Sequence, residues 1–389
     1  MRTVYLDHNA TTPVHPEVLE AMIPYFSKVY GNASSLHQSG REAKAALEDA
    51  RQSIADTLGC GTSEVIFTSG GTESDNFAIK GTAFANRSKG KHIITSSVEH
   101  HAVEISCNFL EKEGFEVTYL PVDSYGFVNP DVLKKAIRPD TILVTIMYAN
   151  NETGTIQDIK ALSTVAQEAG VYFHTDAVQA TGKIAYKIDE VGCDMLSISA
   201  HKLYGPKGVG LLYVKSGTDI IPWNEGGGHE KGMRAGTENV AGIVGLAEAI
   251  KIADRDMASR TERLNGISTR FYESVKQRIP DIKLNGHYEK RVPNTINISF
   301  KAIEGEAIVL SLDMKGIMVS TGSACTSGAT DPSHVLKAMG VSRELAQGSI
   351  RFSFGRSNSV EDIDYVVDIL EKEIKRLRSI SPLYADSSK

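Results

Sequence analysis

Between about Glu64 and Val214, short apolar and β-branched runs alternate with segments whose apolar positions recur every three or four residues. The runs Val65–Thr68, Ile93–Thr95, Val117–Leu120, Ile142–Ile146, Val171–His174 and Met195–Ile198 predict strands, nearly continuous in apolar character and therefore buried on both faces. The segments Asp75–Asn86, His101–Lys112, Pro130–Ala136 and Ile159–Glu168 between them predict amphipathic helices. Alternation of this kind predicts an α/β domain on a mostly parallel sheet.

Past Thr237 the pattern changes. A long helical stretch is predicted from about Val240 through Val275, and Asn294–Phe300 then opens a second mixed region. Ser359–Arg378 predicts a helix: Ile363, Val366, Val367, Leu370, Ile374 and Leu377 share a face, Ser359 and Asp362 can form a capping box, and Lys375, Arg376 and Arg378 suit the C-terminal end of the dipole. The expected organisation is a large α/β domain over residues 15–256 and a smaller α+β domain built from 1–14 and 257–389.

Composition narrows the class. The 389 residues carry 42 Lys and Arg against 48 Asp and Glu, a net charge of −6, with no basic run dense enough for direct nucleic-acid binding or an anionic membrane surface. No apolar stretch reaches the roughly 18 residues of a membrane span, and the polar start Met1 to His8 lacks a signal-peptide core, so a cytoplasmic protein is expected. Cys60, Cys107, Cys193 and Cys325 form no C-x-x-C pair and no zinc spacing. They are expected to be free thiols, with no resident metal.

Three features carry candidate chemistry. Lys202 follows the strand-like Ser197–Ala200, where low dielectric lowers an amine's pKa and lets it attack a carbonyl; the plain alternative is a surface lysine. Asp176 stands at the end of a predicted buried strand, placed to keep a pyridine nitrogen protonated or, more simply, to cap a helix. The turn Thr68 to Ser74 offers bare amides and hydroxyls at a helix start, a phosphate cradle. No P-loop and no G-x-G-x-x-G competes for that role. Phosphate turn, aspartate and lysine on successive strands make a coherent pyridoxal phosphate (PLP) site.

The segments Tyr5 to Thr12, Gly31 to His37, Thr68 to Ser74, Glu99 to His101, Asn150 to Glu152, His174 to Gln179, Ser199 to Lys202, Arg234 to Asn239 and Gly322 to Ser327 resemble, in this order and over essentially the whole chain, those of the NifS/IscS-type cysteine desulfurases. The resemblance implies the fold-type I PLP-dependent transferase architecture, with a large domain on a mostly parallel mixed sheet, a smaller α+β C-terminal domain, and a homodimer. It implies that Lys202 anchors the cofactor and moves substrate protons, Asp176 pairs with the ring nitrogen, Gln179 and Asn151 bond the phenolic oxygen, and His100 lies on the ring and acts as acid or base. Without the family, His100 is more simply a satisfied core histidine. Gly71, Thr72, Ser199 and His201 would hold the phosphate, joined by Thr237 of the other subunit. Arg351, helped by Asn32, would clamp the substrate carboxylate, with Arg356 the weaker candidate.

Cys325 lies in a run of small residues, Thr321 to Ala329, that suits a loop. By resemblance it takes sulfur from L-cysteine as a persulfide, leaving L-alanine, and can serve as a transient iron–sulfur ligand. The implied acceptor is an iron–sulfur scaffold protein of IscU/NifU type, although the short polar tail Ser379 to Lys389 looks NifS-like and leaves the acceptor open. The alternatives are a selenocysteine lyase, another fold-type I PLP enzyme, or a non-catalytic assembly platform. Cys60, Cys107 and Cys193 are expected to be bystanders.

Overall fold

The computed structural model describes residues 2–322 and 332–385. At its centre is a seven-stranded sheet in the order Val65–Thr68, Gly210–Val214, Met195–Ser199, Tyr172–Asp176, Thr141–Thr145, His92–Ser96 and Glu116–Leu120. Only Gly210–Val214 runs against its two neighbours; the other pairings are parallel. Five of these strands are buried along their whole length with helices on both faces, which is why they are apolar without alternation. The carboxyl ends of Val65–Thr68, His92–Ser96, Thr141–Thr145, Tyr172–Asp176 and Met195–Ser199 all open onto one edge.

A second, antiparallel sheet has the order Ser349–Ser353, Thr295–Phe300, Ile282–Asn285. Beside it Val4–Tyr5 pairs in parallel with Ile317–Met318, and Asp7 bridges to Ser353. Phe271, Phe300, Phe352 and Phe354 fill the core there together with Val4 and Leu6 from the N-terminal segment. Over this core lies the helix Val360–Ile380, whose six predicted apolar positions are buried. Its capping box is present as well: Asp362 N–H donates to Ser359 Oγ at 3.2 Å and Ser359 N–H to Asp362 Oδ2 at 2.9 Å. Arg378 does not serve its own helix end; its guanidinium donates to the carbonyls of Pro280, Asp281 and Lys301.

The structure departs from the pattern-based reading in three places. The helix expected from Asp75 begins at Gly71 and reaches Asn86 through a π turn at Phe77–Gly81. Gly70 makes the early start possible, since its φ of 153° swings the chain out of the strand in a way side chains rarely allow. The stretch from Val240 is two helices, Val240–Arg255 and Met257–Arg278, meeting at Asp256. The first packs Leu246 and Ile250 into the core of the large sheet, while the second sends Leu264 and Phe271 into the other core, so the break follows from serving both. Finally, Gly210–Val214, Ile282–Asn285 and Ser349–Ser353 are strands that the periodicity did not single out.

Candidate active site

The carboxyl edge of the large sheet holds a cavity of about 170 Å³ walled by Lys202, Asp176, His100, Gln179, Ser199 and His201, with Gly71, Thr72, Asp75 and Val178. A wider recess of about 430 Å³ adjoins it over the turn Ser69 to Glu73 and shares Gly71, Thr72, Ser199 and His201. Eight of the residues singled out from sequence therefore meet at one place, although they come from four separate segments.

Lys202 sits in the short turn after Met195–Ser199, and its ammonium donates to the backbone carbonyls of Asn9 at 2.6 Å and Ala10 at 2.8 Å. It is not a surface lysine, and the N-terminal segment lies directly against it. Across the cavity Asp176 is buried at the end of its strand, and its Oδ1 accepts from Val178 N–H at 2.8 Å. Burial pushes the Asp176 carboxyl up to about 6, against the pull of the Val178 bond and of Lys202. Asp75, which sequence reasoning did not select, is a second buried acid on the same wall; burial and then the Asp176 charge raise it. Behind the wall, Glu99 is another buried acid, held at about 8 chiefly by burial while accepting from Ser96 Oγ at 2.5 Å and Met147 N–H at 3.0 Å. Below them His174 spans the strands, bonded to Thr145 Oγ1 at 2.8 Å and Ser197 Oγ at 3.0 Å, and burial keeps it neutral.

His100 is satisfied locally and also lines the cavity. Its Nδ1 accepts from Ala102 N–H at 3.1 Å and caps the helix His101–Lys112, while the ring also walls the cavity. Burial, then Lys202, His101 and His334, hold its pKa down at about 4, so at neutral pH the ring is uncharged. With Nδ1 accepting, the proton resides on Nε2. His201 is likewise held near 4 by burial and the adjoining Lys202 and Lys207, and it bonds Thr11 Oγ1 at 3.1 Å.

Arg351 is buried in the middle of Ser349–Ser353. Its guanidinium bridges Asp7 Oδ1 at 2.8 Å and Asn151 O at 2.9 Å, and its Nε is buried without a partner among the described residues. Asn151 Oδ1 is another buried atom without a partner. Orphaned polar atoms of this kind cost free energy unless a ligand answers them. Arg356, the weaker clamp candidate, is engaged elsewhere: it pairs with Asp256 at 3.4 Å beside Tyr204.

Two residues from the sequence reading do not join this group within the chain. Asn32 is exposed and its Oδ1 accepts from Ser34 N–H at 2.9 Å, closing a local turn. Thr237 is exposed, just ahead of the helix Val240–Arg255. Cys325 lies outside the described residues. Cys107 and Cys193 are buried and Cys60 is partly so, with burial raising each thiol, that of Cys60 to about 12, so none of the three is a ready nucleophile.

Comparison with known proteins agrees with the geometry. The family model "Aminotransferase class-V" matches residues 4–366. A cysteine desulfurase IscS of Dictyoglomus turgidum is 57% identical over 381 residues, covering 98% of this chain and 97% of its own. This chain belongs to the cysteine desulfurase family of class-V aminotransferases. A second relative, the cysteine desulfurase IscS of Methanosarcina thermophila, is 52% identical, covering 98% of this chain and 94% of its own. Among solved structures, a NifS-like protein superposes with a TM-score of 0.92 at 39% identity, covering 97% of this chain and 100% of that one. A structure of SspA in complex with cysteine gives 0.80 at 38% identity, covering 90% and 99%.

The family's fold is the fold-type I PLP architecture and its cofactor is PLP. The site fits that group. A β-carbon at Gly71 would stand 2.6 Å from Val178 Cγ2, so the turn keeps open a space that a side chain would fill. The buried Asp176 carboxyl and the Lys202 amine line the same cavity.

Proposed function

We propose that the protein is a PLP-dependent cysteine desulfurase, taking sulfur from L-cysteine, releasing L-alanine and holding the sulfur as a persulfide on Cys325. The observation that carries this reading is the meeting of Lys202, Asp176, His100 and Gln179 at one cavity on the carboxyl edge of the sheet. When bound, PLP supplies a reactive aldehyde and a ring that takes up the electron pair left at the substrate's Cα.

In this reading Lys202 bonds the aldehyde and, once displaced by substrate, carries the Cα proton. Asp176 is held near 6 by burial; a cationic ring nitrogen beside it would draw it back to the carboxylate. His100 supports the ring and, with its proton on Nε2, acts as a neutral donor. Gln179 and Asn151 face the phenolic oxygen. Gly71, Thr72, Ser199 and His201 hold the phosphate at the wider recess, and Arg351, fixed by Asp7, receives the substrate carboxylate with Asn32. The Cys325 thiolate attacks the cysteine sulfur. The Cβ–S electron pair stays with Cβ, which takes up a proton and becomes the methyl of alanine.

We further propose two domains, 15–256 and 1–14 with 257–389, in a homodimer whose second subunit brings Thr237 to the phosphate. The exposure of Thr237 supports the dimer, since a side chain turned away from its own site is available to another. An iron–sulfur scaffold of IscU/NifU type is the proposed sulfur acceptor, with Cys325 as transient ligand. A cytoplasmic location is supported by the free thiols of Cys60, Cys107 and Cys193. Among the described residues no helix is long and apolar enough to cross a membrane.

The test is an L-cysteine assay for alanine with mass spectrometry of the protein. The expected product is one added sulfur atom on Cys325, absent in Cys325→Ala, which still binds PLP and cysteine. Alanine formation and sulfide release at the wild-type rate in Cys325→Ala would sink the mechanism.

A further inference from the structure

Lys183 has no part in the roles above, yet it stands against the site. The residue is 8% exposed, and its ammonium donates to Asn9 Oδ1 at 2.9 Å and to Gln179 Oε1. An ammonium has donors only, so the oxygens it holds cannot turn away without leaving it unpaired. The Gln179 amide is thereby fixed with its oxygen toward Lys183. Its NH₂ group is left to face Asn9 O, at 3.0 Å, and the cavity that Gln179 walls.

Asn9 is fixed in the same way. Its Oδ1 accepts from Lys183 and from Asn294 Nδ2 at 3.1 Å, so its own Nδ2 turns to Thr295 Oγ1 at 2.9 Å and Asn151 O at 3.2 Å. The Asn9 backbone carbonyl meanwhile accepts from Lys202. Two ammonium groups thus share one asparagine, Lys183 on the side chain and Lys202 on the main chain. The charged groups around Lys183 are Lys202, Arg351 and Arg260, all cationic, with His8 close enough to feel its charge. After burial, these three cations push its pKa down further. A buried cation among cations is a costly way to fill space that an apolar side chain would fill more cheaply.

We propose that Lys183 is a positioning residue that locks Gln179 as a hydrogen-bond donor toward the cavity, so that the site favours a cofactor presenting an anionic oxygen there. This rests on the reading of the cavity as the PLP site. Removing the lock frees Gln179 to turn its oxygen inward. That turn favours the protonated form of the bound cofactor, so the pH at which its visible absorption changes rises.

The experiment compares reconstituted holoenzymes of wild type, Lys183→Met, Gln179→Leu and the double variant, titrated from about pH 6 to 10. Loss of one charge-assisted hydrogen bond corresponds to a midpoint raised by about one unit in Lys183→Met, with the apoprotein's PLP Kd about tenfold higher. Gln179→Leu is expected to shift similarly, and the double variant to add little to it. A wild-type midpoint in Lys183→Met overturns the proposal, as does a full second shift in the double variant. Should Lys183→Met fail to fold, Lys183→Ala, which likewise removes every side-chain donor to Gln179, carries the same comparison: a raised midpoint supports the proposal and an unchanged one overturns it. Failure of the wild-type apoprotein to take up PLP would sink the site itself. Uptake with a midpoint indifferent to Lys183 sinks only this inference.

Discussion

Gly71→Ala is a small change with a calculable result. Gly71 opens the helical run after the phosphate turn without a left-handed backbone, so alanine fits the main chain and improves helix propensity by up to about 1 kcal/mol. The added methyl, however, would stand 2.6 Å from Val178 Cγ2 and 3.5 Å from Ser199 Cβ, the first well inside van der Waals contact. Val178 and Ser199 both wall the cofactor cavity, so relief of the clash moves a side chain into its roughly 170 Å³. Overpacking of this kind costs about 1–3 kcal/mol. Because the apoprotein can relax into the open cavity and the holoprotein cannot, most of that cost falls on binding. At about 1.4 kcal/mol per decade, the PLP Kd rises roughly 5- to 100-fold. Fluorescence titration of apoprotein with PLP measures it, with thermal melting of the apoprotein as control. A wild-type Kd in a variant that melts like wild type would refute the reasoning.

Glu230 and Arg51 form a two-pronged buried ion pair with both contacts at 2.8 Å, and Glu230 also accepts from Phe67 N–H. Glu230→Ala leaves the buried guanidinium with only Val65 O at 2.8 Å and the half-exposed Glu48 at 3.3 Å, and is expected to cost about 3 kcal/mol in urea denaturation at fixed protein concentration, whereas the double change Arg51→Met, Glu230→Met costs much less. His100, at about 4 in the folded state against 6.5 in the unfolded chain, contributes stability at pH above about 6.5 that is lost as pH falls toward 4, because only the unfolded chain takes the proton. His100→Asn keeps a capping side chain and should flatten the decline of the apoprotein's Tm across that window; His8, His174 and His201 keep it from vanishing, and a parallel curve would count against the assignment. Arg351→Lys loses the fork that spans Asp7 and Asn151, and KM for cysteine should rise about 10- to 100-fold with a smaller change in kcat.

The parallel strands were legible because burial on both faces makes them continuously apolar, as in Ile93–Thr95 and Met195–Ile198. Ser349–Ser353 was not, because its central Arg351 is buried for the sake of the site and breaks the pattern a core strand would have. Lys202, Asp176 and the turn at Gly71 stood out because each follows a strand end, and strand ends gather at one edge of a sheet. Asn9 and Lys183 had no such local mark. Asn9 matters through a hydrogen bond to Lys202 across 193 residues, and Lys183 through the orientation it imposes on Gln179. His100 serves two ends at once: capping its own helix is a local job, and walling the cavity is a tertiary one, so neither excludes the other.

The bond between Asp7 and Arg351 joins residues 344 positions apart, and Val4–Tyr5 finds its neighbour only at Ile317–Met318. The segment around Asp7 therefore takes its place only against residues far along the chain. Until it does, Lys202 lacks the Asn9 and Ala10 carbonyls that hold its amine, however well the large sheet has formed. The amine end of the cofactor pocket is thus finished by contacts between distant parts of the sequence and not by the large sheet alone.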